Sequence, residues 1–213
     1  MIICISGLSG SGKNSVGEEV AKLLTLRVVN PTFKTIAAKQ KMSLMDFHKK
    51  AEKEHSIDKQ FDAHLISDAA RGNCVVTTWL GPWMVKDADI RVWLYAPREV
   101  RAKRVAGRDA MSHEQALAHI TDRDESNRHR YNEVYRINIY DHSGFELVIN
   151  TEKFRPAQSA QIIAAAARAL GGKTAKTAVA ERDGAHSSRG SNREVVKAKA
   201  VKKTATKKKS KKR

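Results

Sequence analysis

The chain has 213 residues, 41% of them hydrophobic and 30% charged, with a formal net charge of +17. Such a chain is long enough and apolar enough to bury one substantial core, which excludes a wholly disordered protein. Its apolar runs are too short for a membrane span, and the first is too short for a signal peptide. We therefore expect a cytoplasmic protein with no membrane anchor, and the isolated cysteines Cys4 and Cys74 suit a reducing compartment.

The first apolar run, Ile2–Ile5, leads directly into a glycine-rich loop, residues 7–14. The pattern G-x-x-x-x-G-K-[ST] fits from Gly7 through Lys13 and departs at its last place, where Asn14 replaces a hydroxyl residue. Helical spacing of the apolar residues behind Lys13 predicts the helix that this motif requires. This context favours a phosphate site for a nucleotide over the alternative, a flexible turn with a solvated lysine.

In such a loop, successive backbone N–H groups converge on an anion, and Lys13 adds a positive charge for the terminal phosphates. Asn14 is the candidate metal ligand, because its amide oxygen stands where a hydroxyl usually holds Mg²⁺. Ser15 cannot replace it, since it lies about 100° further round the helix. The loop residues predicted to bind the nucleotide are Gly7, Leu8, Ser9, Gly10, Ser11, Gly12, Lys13, Asn14 and Ser15.

Further strand-like apolar runs alternate with helical patterns along the chain. They lie at Val28–Val29, Cys74–Val76, Ile90–Tyr95 and Leu147–Ile149. This alternation predicts an α/β fold in which five parallel strands form a sheet covered by helices on both faces. Capping signals mark the helix starts, at Ser43 with Asp46, Ser56, Ser112 with Gln115, and Pro156, and the helix stops, at Gly72 and Gly171–Gly172.

The segment between the fourth and fifth predicted strands is dense in arginine. It contains Arg98, Arg101, Arg104, Arg108, Arg123, Arg128, Arg130 and Arg136. One interpretation is a mobile lid whose cations close over phosphates during phosphoryl transfer. The other is a solvated helical surface with i,i+4 ion pairs to Asp109, Asp122, Asp124 and Glu125. Spacing alone leaves both open.

The last residues, 171–213, form a basic tail that holds 15 Lys/Arg against three Asp/Glu. We expect disorder there, because the tail has little apolar surface to bury. Lysines release counterions from a polyanion without reading its sequence, which favours contact with RNA or a ribosome. The alternative is a solvated extension with no dedicated partner. The predicted domain boundary lies at residue 170.

Several motifs match a known family. They are APREVRAKR at 96–104, Arg108, RDES at 123–126, Arg130-Tyr131, Tyr135 and LVINT at 147–151, with shorter matches at 42–44, 57–59 and 83–84. On these motifs, residues 1 to about 170 resemble the archaeal-type (type 2) cytidylate kinases of the nucleoside-monophosphate kinase superfamily. The resemblance implies a P-loop NTPase fold like that of adenylate kinase, with an acceptor segment at about 31–72 and a lid segment at about 98–136.

The resemblance also implies an activity, the ATP-dependent phosphorylation of CMP or dCMP, with Mg²⁺ bridging the donor phosphates. It implies that Arg104 packs against the adenine of ATP. Arg108, Arg123 and Arg130 match positions where arginines reach the transferring phosphates, beside Lys13. We expect a monomer.

The acceptor side departs from the family pattern at three places. Phe33-Lys34 replaces Phe-Arg, Asp62–Leu65 replaces Asp-Arg-Arg-Gln, and Thr77–Trp79 replaces Glu-Gly-Arg. The acceptor contacts predicted for this chain are Lys34, Asp62, His64 and Trp79. Since arginine forks that bind phosphate in a bidentate manner are missing, weaker binding of the monophosphate is expected.

Two other functions fit parts of the chain. A homologue that binds nucleotide but has lost its acceptor pocket would act through the tail as an RNA- or ribosome-associated protein. A GTPase is suggested by Asp141–Gly144, which imitates the D-x-x-G element. That mimic precedes the last strand instead of following the third, and residues 150–153 are a poor guanine-reading motif, so the GTPase is disfavoured.

Overall fold

The structure, a computed structural model, describes residues 1–31, 41–42 and 56–170. The predicted capping box at Ser43, the acceptor contact Lys34 and the basic tail lie outside these residues. The chain divides into a unit of residues Met1–Ala167, to which the sheet belongs, and a second unit, Arg168–Arg213. Within the described ranges, no helix combines the length and apolarity needed to cross a bilayer.

The secondary structure follows the alternation that the sequence predicts. In chain order the described elements are β1 Ile2–Gly7, α1 Lys13–Leu24, β2 Arg27–Val29, α2 Ser56–Ala69, β3 Cys74–Val76, α3 Gly81–Met84, β4 Ile90–Tyr95, α4 Arg98–Asp109, α5 His113–Tyr135, β5 Leu147–Asn150 and α6 Pro156–Leu170. Helix starts at Ser56 and Pro156 are confirmed. The capping box is confirmed too, since Ser112 and Gln115 each accept the other's backbone N–H through a side-chain oxygen.

The five strands form one parallel sheet in the order β2-β3-β1-β4-β5. Every residue of the central strand β1 is buried. Successive residues of a strand point to opposite faces of the sheet, so alternate residues of β1 belong to two different apolar clusters. Ile3 and Ile5 pack with α1 and α6 on one face, whereas Ile2 and Cys4 pack with α2 on the other. Burial on both faces explains why the strands are continuously apolar in sequence.

The parallel strands bring their carboxyl ends to one edge of the sheet, where α/β proteins place their ligands. The glycine-rich loop follows β1 at this edge, Thr77–Trp79 follows β3, and Thr151 follows β5. Helices α4 and α5 pack against each other through a small apolar cluster of Ala102, Val105, Ala116 and Ile120. That pair carries the arginines of the predicted lid segment.

We predict opposite effects of two Gly→Ala substitutions in helices. A Cβ at Gly17 in α1 would lie 2.1 Å from the Cγ2 atom of Thr77, which is buried, whereas a Cβ at Gly107 in α4 meets nothing within 4 Å. Overpacking should make Gly17→Ala less stable by about 1–3 kcal/mol. The matched control, Gly107→Ala, should gain up to about 1 kcal/mol, because alanine is the better helix former. Urea unfolding of both variants measures the difference, and equal stabilities would contradict the packing of α1 on β3.

Candidate active site

The glycine-rich loop approaches its neighbours too closely for side chains at two positions. A Cβ at Gly7 would lie 2.5 Å from the carbonyl oxygen of Leu94, and a Cβ at Gly10 would lie 2.7 Å from that of Arg101. Gly10 also has a φ of 77°, in the left-handed region that glycine favours. The loop therefore packs closely against β4 and α4. A side chain at Gly7 or Gly10 would overlap these neighbours, and Gly10 is favoured by its backbone conformation as well.

The loop presents N–H groups at the start of α1. Ser11 donates its N–H to the carbonyl of Leu8 at 3.1 Å, but the N–H groups of Gly10, Gly12, Lys13 and Asn14 find no acceptor in the described part of the chain. The buried hydroxyls of Ser9 and Ser11 also lack a partner there. Together with the positive end of the helix dipole, these groups form a site that an anion would satisfy.

Lys13 lies beside this cradle, as the motif predicts. Its Nζ atom is 3.4 Å from the carbonyl oxygen of Gly7 and 5.2 Å from the ring centroid of Trp79. Burial of the ammonium, together with the charges of Arg123 and Arg108, lowers the pKa of Lys13 to about 8, against the opposing effect of Asp124. In the free site, burial and the neighbouring arginines destabilise the charged form of Lys13. A polyanionic ligand would stabilise that form, so the site favours such a ligand.

A buried ion pair contacts the middle of the loop. Arg101 of α4 and Asp124 of α5 are each only 6% exposed, and their closest atoms, Nη1 and Oδ2, are 2.6 Å apart. Asp124 Oδ1 accepts the N–H of Ser9 at 3.0 Å, and Arg101 Nη1 donates to the carbonyl of Ser9 at 2.9 Å. Arg101 Nε donates to the carbonyl of Ala96 at 3.2 Å.

This pair was not predicted, because the i,i+4 spacing suggests only a surface ion pair for Asp124 within its own helix. A signal was available. Ala116, Ile120 and Asp124 recur every four residues and so lie along one face of α5, and the first two belong to the apolar cluster against α4. A carboxylate that continues an apolar stripe must find a buried partner.

Arg104 links the loop to the end of β5. It donates to the carbonyl of Gly10 at 3.3 Å, to Thr151 Oγ1 at 3.0 Å and to the carbonyl of Thr151 at 2.6 Å. The Thr151 hydroxyl lies 2.9 Å from the carbonyl oxygen of Ser11. Arg104 therefore contacts the glycine-rich loop, and its packing against an adenine stays a prediction. Thr151, the last residue of the matched LVINT motif, is a further contact of the loop.

The other predicted arginines fall into two groups. Arg108 forms an exposed ion pair with Asp109, and Arg123 is exposed with no ion-pair partner among the described residues. Both lie near enough to Lys13 to affect its pKa. Arg130 lies further along α5, with its guanidinium 5.2 Å from the ring centroid of Tyr131 and 3.2 Å from Asn127 Oδ1.

Two of the predicted acceptor contacts, Trp79 and Asp62, contact side chains of α5. Trp79 is fixed by the Ser6 hydroxyl, which donates to its carbonyl at 2.7 Å, and its indole ring is 6.2 Å from the ring of Tyr131. The buried carboxylate of Asp62 accepts a hydrogen bond from the Tyr135 hydroxyl. His64 is half-buried on α2. Trp79 and Asp62 are thus brought to the same helix, by side chains one turn apart.

A divalent cation would find few protein ligands here. Among the described residues, no group of three or more His, Cys, Asp or Glu side chains converges. Asn14 is exposed in the first turn of α1, and its amide oxygen is a hard donor of the kind that Mg²⁺ accepts. Mg²⁺ usually takes one or two protein oxygens together with phosphates and water, so Asn14 suits a cation held chiefly by a nucleotide.

Comparison with known proteins agrees with this geometry. The model of the cytidylate kinase-like family matches residues 2–153. The cytidylate kinase of Pyrococcus horikoshii is 40% identical over 168 residues, which cover 78% of this chain and 88% of that protein. The cytidylate kinase of Pyrobaculum islandicum is 44% identical over 154 residues, covering 71% of this chain and 84% of that protein.

Among solved structures, shikimate kinase from Acinetobacter baumannii superposes with a TM-score of 0.52 at 20% identity, covering 81% of this chain and 94% of that one. At this identity the likeness bears on the fold alone, and it confirms the P-loop kinase fold that the sequence predicts. The family match spans the glycine-rich loop, the arginine-rich helices and the last strand. The chain belongs to the cytidylate kinase-like family.

Proposed function

We propose that the protein transfers the γ-phosphoryl group of ATP to CMP or dCMP, giving ADP and the nucleoside diphosphate. The observation that carries this proposal is the cradle of unpartnered N–H groups beside Lys13 in a chain about 40% identical to cytidylate kinases. The alternative, a homologue that has kept only nucleotide binding, is not favoured, because the relatives matched over most of the chain are named as kinases.

On the donor side, the N–H groups of Gly10 and of residues 12–14 and the Lys13 ammonium would bind the β- and γ-phosphates. Arg104, between Gly10 and Thr151, would pack against the adenine. Mg²⁺ would neutralise part of the phosphate charge, with Asn14 as its protein ligand.

In the reaction, an oxygen of the CMP phosphate forms a bond to the γ-phosphorus while the bond from that phosphorus to the bridging oxygen breaks, and ADP leaves with the electron pair. The attacking phosphate oxygen is already ionised near neutral pH, so no side chain has to remove a proton. Positioning and charge stabilisation supply most of the catalysis in such transfers. Arg108, Arg123 and Arg130 would provide the charge.

On the acceptor side, Lys34, Asp62, His64 and Trp79 would contact CMP. Asp62 is positioned by Tyr135, and the Trp79 ring forms a wall between Lys13 and Tyr131. A lysine gives a point charge instead of the two parallel bonds of an arginine fork. We therefore propose that CMP binds more weakly here than at a site built from arginines.

The first test is turnover in a coupled assay that detects ADP, with CMP, dCMP, UMP and AMP as acceptors. We expect the highest kcat/KM with CMP or dCMP. Arg123→Gln should lower kcat by about 10²- to 10³-fold, because it removes a cation from the transferring phosphate.

The matched control is Arg128→Gln, which removes an arginine of the same helix that forms an exposed ion pair with Glu125. Its kcat should stay within about twofold of the parent, since exposed pairs contribute little. Absence of turnover with all four acceptors, in a protein that still binds ATP, would overturn the kinase proposal.

A second test uses pH. Because the pKa of Lys13 is lowered to about 8 in the free protein and phosphates favour its charged form, ATP binding must take up a proton above that pH. The bound state then holds more protons than the free state, so ATP affinity should fall by up to about tenfold per pH unit above 8.

Calorimetry from pH 7.5 to 9.5 measures this slope. In the control, Lys13→Arg, the guanidinium stays charged, and whatever affinity remains should be independent of pH in this range. A parent protein whose ATP affinity is constant up to pH 9.5 would contradict the role given to Lys13.

We also propose that the basic tail associates with RNA. Residues 197–213 hold ten Lys/Arg, with neither an acidic nor an aromatic residue among them. Such a segment binds phosphates through counterion release and offers no base stacking, so the contact would be independent of sequence.

A chain truncated after Gly172 tests this role. If about five lysines pair with phosphates, a fourfold rise in salt should weaken the binding of single-stranded RNA to the full chain about a hundredfold. The truncated chain should lose this binding and keep its kinase activity. Binding that survives truncation, or that does not respond to salt, would exclude the tail as the RNA contact.

A further inference from the structure

The Arg101–Asp124 pair has a function that ion pairing alone does not explain. Removing two charges from water costs about as much as their attraction returns, so a buried pair is a weak source of stability. Yet this pair forms three of its bonds to the backbone, two of them to Ser9 in the middle of the glycine-rich loop. It binds the N–H and the C=O of one residue at once.

Those two bonds fix both peptide planes that flank Ser9. The Ser9 N–H donates to Asp124, and the Ser9 C=O accepts from Arg101. The next residue, Gly10, begins the series of N–H groups that have no acceptor in the described part of the chain. The orientation of the cradle is therefore set one residue upstream, by side chains from α4 and α5.

The same pair sets the register of the two arginine-bearing helices. Arg101 precedes Arg104 by one helical turn on α4, and Asp124 directly follows Arg123 on α5. Arg104 contacts Gly10 and Thr151 from this position. The ion pair that holds the loop therefore also fixes the positions of Arg104 and Arg123 on the two helices.

We propose that Arg101 and Asp124 are positioning residues for the phosphoryl donor. The pair holds the Ser9 backbone so that the N–H groups of Gly10 and of residues 12–14 face the ATP phosphates, and it places Arg104 and Arg123 beside them. This inference rests on the proposed function, since it assumes that ATP is the ligand of the loop.

The test compares two ways of removing the pair. Asp124→Asn leaves a buried guanidinium without a counter-ion and loses stability. The double variant Arg101→Met with Asp124→Leu removes both charges and fills the space with apolar side chains, a replacement that buried pairs often tolerate. Only the double variant loses both contacts with Ser9, since Asp124→Asn keeps an amide oxygen that can accept the Ser9 N–H and leaves Arg101 in place.

We expect the folded double variant to bind ATP between about tenfold and a hundredfold more weakly than the parent, as misplacement of a binding group typically costs. CMP affinity should change by less than about twofold. The Ser9 amide should exchange its hydrogen faster in the free variant, because it has lost its acceptor.

Asp68→Asn is the control, because Asp68 forms a half-buried ion pair with Arg27 at the first residue of β2, the opposite end of the sheet from the loop. It should lower the unfolding temperature and leave ATP affinity unchanged. A folded double variant with the ATP affinity of the parent would overturn the proposal.

The two proposals fail in different ways. A parent protein that binds ATP but phosphorylates no monophosphate would refute the acceptor assignment and leave this test intact, because the test measures ATP binding alone. A parent that binds no ATP would refute both, and the exchange rate of the Ser9 amide would then show only whether the pair holds the loop.

Discussion

The contact between the glycine-rich loop and α4 determines the shape of the site. The loop lies so close to the helix that a methyl group at Gly10 would overlap the backbone of Arg101. At this distance the Arg101 guanidinium can reach the carbonyl of Ser9, and Asp124 can reach its N–H from the neighbouring helix. Side chains from two helices therefore hold the loop, and the N–H groups of Gly10 and of residues 12–14 have no acceptor in the described part of the chain.

Electrostatics gives this arrangement its preference for polyphosphates. Lys13, Arg108 and Arg123 lie near one another, and their mutual repulsion, added to burial, depresses the pKa of the lysine. In the free protein, these three positive charges repel one another beside the loop. A ligand with several negative charges relieves this repulsion, and preorganised charges of this kind stabilise a phosphoryl-transfer transition state without having to move.

The sheet and the glycine-rich loop could be predicted because they depend on local patterns. Continuous apolar runs mark strands buried on two faces, and the spacing of Gly7, Gly12 and Lys13 marks a phosphate loop. The bonds that hold the loop could not, since Ser9 meets Asp124 across 115 positions and Ser11 meets Thr151 across 140. Such pairings follow from how α4, α5 and β5 pack, which no single segment specifies.

The predicted acceptor contacts were the hardest part to predict. They depart from the family pattern, and two of them are positioned by contacts with α5. Asp62 contacts Tyr135 across 73 positions, and Trp79 contacts Tyr131 of the same helix. Lys34 lies outside the described residues, and its role is still a prediction. The arginine-rich segment showed elements of both interpretations, since Arg104 contacts the loop and Arg128 forms a surface pair with Glu125.

Helix α5 imposes a constraint on how this protein can change. Asp124, Tyr131 and Tyr135 are seven and four residues apart, which places them within about 40° of each other around the helix axis. Through them one rigid element meets the loop, the end of β3 and α2. Inserting or deleting a single residue between Asp124 and Tyr131 would rotate one end against the other by about 100°, so the length of this stretch is fixed even where its exposed residues are free to vary.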